Sequence, residues 1–233
     1  MCVQLLLKKE KMKHAYQPIW DLVHWVPFGY EALLRITDGI RVEQLFQQAR
    51  TEGCLYEVDT MAIESSIYCF PFANFPKQLL FINVYPSTVL DDRFLPFIDE
   101  LIRKYPGIKE RIVFELSETD EERELWTNNA LKEKLKTIKS HGFFIAIDNV
   151  GESTFTFENM MQLQPDYVKL DRRFANELAT NQEKQMLISL FVNYCRPEAI
   201  VLEGIEKEID LAQAKFLRVS TAQGYLLGIP EKL

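Results

Sequence analysis

Apolar positions along the chain fall into short continuous or alternating runs separated by longer stretches of helical period. Runs of four to eight residues mark strands, and apolar residues recurring every three to four positions mark helices. Strand-like runs occur at AYQPIWDL (15–22), FGYEALLRI (28–36), LLFINVYP (79–86), RIVFELSE (111–118), FFIAIDNV (143–150), YVKLDRRF (167–174), AIVLEGIE (199–206) and TAQGYLLGIP (221–230). Amphipathic helical sequence lies between most of them: VEQLFQQARTEG, EVDTMAIESSIYCF, RFLPFIDELIRKYPG, EKQMLISLFVNYC and EIDLAQAKFLRV. The clearest case, DEERELWTNNALKEKLKTIKSHG (120–142), crowds acids into its first turn and lysines into its last and stops at Gly142, as the helix dipole and stop signals require. Short strands alternating with helices build parallel βαβ units, and eight runs are enough for a (β/α)8 TIM-like barrel. An open doubly wound sheet fits less well, because no Gly-rich dinucleotide fingerprint follows the first strand. No linker or composition shift divides the chain, so residues 1–233 read as one domain, with 1–13 as an N-terminal helical extension.

Composition narrows the function. With 47% apolar and 26% charged residues among 233, the chain belongs to the globular class. A net charge of −7 argues against broad binding to DNA, RNA or an anionic membrane surface. A small anionic ligand stays possible, because metal ions or a local basic group outweigh the global charge at short range. The run VQLLL before KKEKMK is too short for a signal peptide or a membrane helix of about 20 apolar residues, which implies a cytoplasmic protein. Cys2, Cys54, Cys69 and Cys195 have no CxxC spacing and read as reduced, mostly buried thiols; His14, His24 and His141 are scattered singly and read as structural.

Several strand runs carry a polar residue that a purely structural strand would lack: Glu31, Asn83, Glu115, Asp148, Lys169, Asp171, Glu203 and Gln223. A buried charge without a partner costs several kcal/mol, so such residues rarely persist singly. Most fall late in their strands, and in a (β/α)8 barrel those ends converge on one mouth. Four carboxylates (Glu31, Glu115, Asp148, Glu203) and one amide oxygen (Asn83), without His or Cys, suit a hard cation such as Mg²⁺ or Mn²⁺. Glu31 and Arg35 are four residues apart and share a strand face, as do Lys169 and Asp171 at two apart. Arg35 then reads either as a phosphate contact or as an exposed rim cation, and Lys169 either as catalytic or as a structural partner of Asp171. Metal-assisted hydrolysis of a phosphodiester is the chemistry such a set allows.

These residues resemble the EAL domain family of cyclic di-GMP phosphodiesterases. The triplet Glu31-Ala32-Leu33 lies inside YQPIWDLVHWVPFGYEALLRI; FINVYP is similar to the family's N-x-S-P, FELSE to E-L-T-E, YVKLD to K-I-D, LEGIE to A-E-G-V-E, and QGYLLGIP to the closing Q-G-Y segment, over residues 14 to 230. The resemblance implies a barrel with an antiparallel first strand that opens cyclic di-GMP to linear pGpG with Mg²⁺ or Mn²⁺, commonly as a homodimer. It further implies Glu31, Asn83, Glu115, Asp148 and position 149 as metal ligands, with Lys169 and Glu203 positioning the attacking water. Arg35, Gln223 and Asp171 fall on the substrate side, Glu118 anchors the loop after the fifth strand, and Glu206 is a nearby supporting acid. The departures cluster in one loop: the family's D-D-F-G-T-G-Y-S-S is DNVGESTFT here, so the second aspartate is Asn149, and Ser153 replaces a glycine. Tyr85 also stands where the family has a small serine. An amide oxygen brings no charge, so a second metal would be held more weakly. Two readings follow: a metal-dependent phosphodiesterase of reduced activity, and a silent barrel that binds cyclic di-GMP as a receptor or interaction module. A ligand-free interaction barrel is the third.

Overall fold

The computed structural model describes residues 12–37, 39, 41–117, 120–151, 157–195 and 199–233. Eight strands close a barrel in chain order: β1 (Met12–Asp21), β2 (Val26–Ile36), β3 (Leu79–Val84), β4 (Ile112–Ser117), β5 (Phe144–Val150), β6 (Tyr167–Leu170), β7 (Ile200–Leu202) and β8 (Thr221–Ala222). β1 runs antiparallel to both neighbours, β2 and β8, and every other adjacent pair is parallel. The fold is therefore the expected (β/α)8 barrel with a reversed first strand. The expected extension over residues 1–13 lies outside the described residues up to position 11, and Met12 and Lys13 belong to β1.

Helices α1 (Val42–Thr51), α2 (Leu55–Cys69), α3 (Pro86–Leu90), α4 (Phe94–Lys104), α5 (Asn129–Ser140), α6 (Phe157–Leu163), α7 (Arg172–Ala175), α8 (Gln182–Tyr194) and α9 (Glu208–Phe216) surround the barrel. The outer strand faces pack against them through residues such as Tyr30, Leu80, Phe114 and Ile145. Each such side chain contributes about 1.5–3 kcal/mol when removed from water.

Local chemistry shifts several boundaries inward from the sequence reading. β3 stops at Val84 because Pro86 occupies the first turn of α3, where its fixed φ and missing N–H suit a helix start. β6 stops at Leu170 because Asp171 caps α7, accepting from Arg173 N. The segment 120–142 is two elements, a 3₁₀ stretch Asp120–Thr127 and α5, because the Asn128 side chain accepts from Ala130 N and starts a new helix. Of the cysteines read as mostly buried, Cys54 and Cys195 are half-buried and Cys69 is exposed.

The barrel interior is layered. Ile19, Leu79, Phe81, Val113, Ala146 and Val201 form an apolar floor, extended by Phe28, Phe144 and Tyr167. Tyr167 meets Phe81 edge-on with centroids 5.5 Å apart. Side chains alternate across a strand, so the next inward position of each strand lies one layer higher. Those positions are Glu31, Asn83, Glu115, Asp148, Lys169 and Glu203, with Gln17 on the reversed β1 and Gln223 just past β8.

Candidate active site

The polar layer centres on Lys169, which is fully buried. Its Nζ lies 3.0 Å from Glu31 Oε2, 2.8 Å from Glu115 Oε1, 2.8 Å from Glu203 Oε1 and 3.7 Å from Asp148 Oδ1. Burial alone would lower the lysine pKa, but the four carboxylates outweigh it and hold the ammonium charged. Gln223 Nε2 donates to Glu31 Oε2 over 2.8 Å. Burial works against ionisation of Glu31, yet Lys169, Gln223 and Asn83 together keep its pKa below the usual value. Burial pushes Glu203 up to about 8 and Glu115 well above the usual carboxylate range, the latter aided by the charges of Glu31 and Asp148.

Asp148 lies in β5 at a register shift between Ile147 and Val150, an irregularity of the kind that re-aims side chains beside active sites. The next residue makes the turn with φ +55, a left-handed conformation in which Asn is favoured among non-glycine residues. From there Asn149 donates twice to Asp148, N–H to Oδ1 at 2.9 Å and Nδ2 to Oδ2 at 2.8 Å. Gly151 follows at φ +102, and a Cβ there would lie 2.1 Å from Phe174 Cε2, so the turn requires glycine.

The remaining assignments divide. Arg35 is exposed, donates to Leu34 O and lines one cavity of about 490 Å³ with Glu31, Asn83, Asp148 and Asn149. Asp171 does not join the cluster by strand alternation, since it lies past the end of β6 and its Oδ1 accepts from Arg173 N and Nε at 2.8 Å. Glu206 is exposed and lines a different cavity with Arg172, Arg173 and Lys207. Glu118 lies outside the described residues, as does the altered loop from 152 to 156.

Three buried polar groups near the site were absent from the sequence reading. Gln17 faces Glu31 across β1–β2 and donates to Gly228 O; a polar residue in an apolar strand was signal enough to find it. Asp59 accepts from Tyr85 N at 2.9 Å, and burial pushes its pKa up to about 7. Glu122 receives Arg50 Nη2 at 2.6 Å and both the N–H and Oγ of Ser87. Both acids sit in segments whose sequence looks like solvated helix.

The donor set fits a hard divalent cation. Among the described residues Glu115 Oε2 and Gln223 Oε1 are buried without a hydrogen-bond partner, and Glu31, Asn83 and Asp148 add oxygens of the type Mg²⁺ and Mn²⁺ prefer. Among the described residues no three acidic, His or Cys side chains form a ready-made metal cage. The Lys169 ammonium stands among these carboxylates and neutralises part of their charge.

The EAL domain family model matches residues 3–230. The chain belongs to the EAL domain family. Among curated relatives, cyclic di-GMP phosphodiesterase PdeF of Escherichia coli K12 is 24% identical over 212 residues, covering 88% of this chain and 28% of PdeF. Cyclic di-GMP phosphodiesterase PdeB of Shewanella oneidensis is 27% identical over 214 residues, covering 87% of this chain and 24% of PdeB. The EAL domain here thus spans about a quarter of the length of these relatives. Among solved structures, the PaMucR phosphodiesterase in complex with c-di-GMP superposes with a TM-score of 0.84 at 20% identity, covering 98% of this chain and 95% of that one. Klebsiella pneumoniae BlrP1 in a manganese/cy-diGMP complex gives 0.82 at 20% identity, with 94% and 57% covered. At that identity the structures establish the fold. No helix among the described residues is long and apolar enough to cross a membrane.

Proposed function

We propose that this EAL domain is a metal-dependent hydrolase that opens cyclic di-GMP to linear pGpG. The observation that carries this reading is the convergence of Glu31, Glu115, Asp148 and Glu203 on one buried lysine at the barrel mouth, with an amide on either side. Glu31, Asn83, Glu115 and Asp148 would hold Mg²⁺ or Mn²⁺, which when bound lowers the pKa of water and offsets charge developing on the phosphate. The chain's own groups do the rest. Lys169 Nζ and Glu203 Oε1, 2.8 Å apart, hold the attacking water, and Glu203, which burial pushes up to about 8, takes its proton when in its ionised form. Attack of that oxygen on phosphorus breaks one P–O bond of the ring, and the departing sugar oxygen collects a proton from solvent at the mouth. Arg35, on the cavity rim, binds the phosphate that does not react.

One observation favours a second reading, a cyclic di-GMP receptor. The Asn149 amide is spent on Asp148, which supplies by hydrogen bonding what a second cation would supply by charge. Incubation with cyclic di-GMP and Mn²⁺, with products resolved by chromatography, separates the two. Formation of pGpG that is lost in Glu31→Gln supports the hydrolase; tight binding without product supports the receptor and sinks the hydrolase.

A further inference from the structure

The cavity above the cluster has two arms. On β2, Glu31, Leu33 and Arg35 face the barrel axis whereas Ala32 and Leu34 face away; on β3, Asn83 faces in whereas Ile82 and Val84 face out. These residues from both faces line the same cavity. Its outer arm therefore lies behind the barrel wall, between the strands and the α1–α2 pair, where Val42, Phe46, Asp59 and Ala62 complete the lining.

His14 belongs to this outer arm. It pairs with Leu34 across β1–β2 and so shares its outward face. The residue is 8% exposed, lines the cavity, and neither ring nitrogen has a hydrogen-bond partner among the described residues. Buried polar groups are nearly always paired, so an imidazole with both nitrogens unpartnered calls for an occupant. Burial, with a smaller contribution from Arg35, holds the ring pKa at about 4, which leaves it neutral with one N–H and one lone pair to offer. The other walls are largely apolar, and Phe46 and Tyr85 stand with centroids 5.2 Å apart. An anion would lose its hydration here and would meet the Asp59 carboxyl in the lining.

We propose that the outer arm is a binding site for a small uncharged aromatic molecule carrying a hydroxyl or ring N–H, which hydrogen-bonds His14 and lies against the apolar walls. The site is separate from the hydrolase reading, since its polar contact lies on the opposite face of β1–β2 from the carboxylates.

The test uses p-cresol, with toluene as the same body lacking the hydroxyl. p-Cresol should raise the melting temperature saturably and shift the His14 ring resonances in protein carrying ¹⁵N-histidine. Toluene should bind about tenfold more weakly, the worth of one hydrogen bond. His14→Leu should bring the two ligands to near-equal affinity, and Ala62→Phe, which fills the arm, should remove both. Unmoved His14 resonances at millimolar p-cresol, p-cresol binding unchanged in His14→Leu, or a soaked crystal with only water at His14 would each overturn the proposal. Should His14→Leu fail to fold, the wild-type resonances and Ala62→Phe decide it.

Discussion

Replacing the Asn149 carboxamide by a carboxylate tests the electrostatics of the site directly. Asn149→Asp keeps the N–H donated to Asp148 Oδ1, deletes the Nδ2 donor to Oδ2 and sets a second anion against Asp148. Asp tolerates the left-handed backbone at φ +55 much as Asn does, so the perturbation is one of charge rather than strain. Two unit charges about 4 Å apart repel by about 4 kcal/mol at an effective dielectric constant near 20. Solvent at this half-buried position and rotation of the new side chain reduce that to about 1 kcal/mol. Loss of a hydrogen bond to a charged acceptor adds about 1.5 kcal/mol. In EDTA the variant should therefore be less stable by about 2–3 kcal/mol. Divalent cation reverses the sign: a ligand that binds only the folded state stabilises it by RT ln(1 + [L]/Kd), and the added anion lowers Kd. Urea denaturation in EDTA and across a Mn²⁺ series measures both limbs, and pGpG formation in the same buffers should rise in the variant. Equal stability of the two proteins in EDTA, with equal gains from Mn²⁺, would refute the reasoning.

Lys169→Met leaves buried carboxylates without their ammonium and should cost about 3–5 kcal/mol in metal-free buffer, read by denaturant unfolding, with part of the loss recovered by Mn²⁺. Asp59 titrates near 7 in the fold against 3.8 for the free side chain. Between those values the native state holds a proton the unfolded chain has released, so this group makes stability fall as pH rises, by at most about 1.4 kcal/mol per unit. Asp59→Asn should flatten that slope in thermal unfolding between pH 4 and pH 7, while still accepting from Tyr85 N. On α8, Met186, Leu187, Leu190 and Tyr194 are 74%, 45%, 49% and 51% exposed along one side of the helix; if a homodimer forms through this stripe, Leu190→Glu should shift the mass by light scattering to that of a monomer without changing the melting profile.

The barrel and its polar layer were legible because both depend on period-2 alternation. Val113 and Glu115, Ala146 and Asp148, Tyr167 and Lys169 each stand two apart on one strand, and the closure of eight strands brings them together. Strand ends were less legible, since Pro86 and Asp171 are read as strand continuation until the helices they start are known. The acids outside the strands were not legible at all. Glu122 is 72 residues from Arg50 and Asp59 is 26 from Tyr85, so nothing local distinguishes either from a solvated helix residue. The commitment of the Asn149 amide to Asp148 was not legible either, since it follows from the positive-φ backbone at that residue.

The reversed first strand has a practical consequence for handling the protein. Because β1 pairs antiparallel with β2, Met12 sits opposite Ile36 and Lys13 opposite Arg35, at the same end of the barrel as the carboxylate mouth. β1 therefore begins at the rim above the cavity, whereas the β1–β2 turn at 22–25 lies at the far end. An affinity tag or reporter fused ahead of β1 joins the chain on the side of the barrel that carries Arg35, and assays of nucleotide binding are best run with it removed.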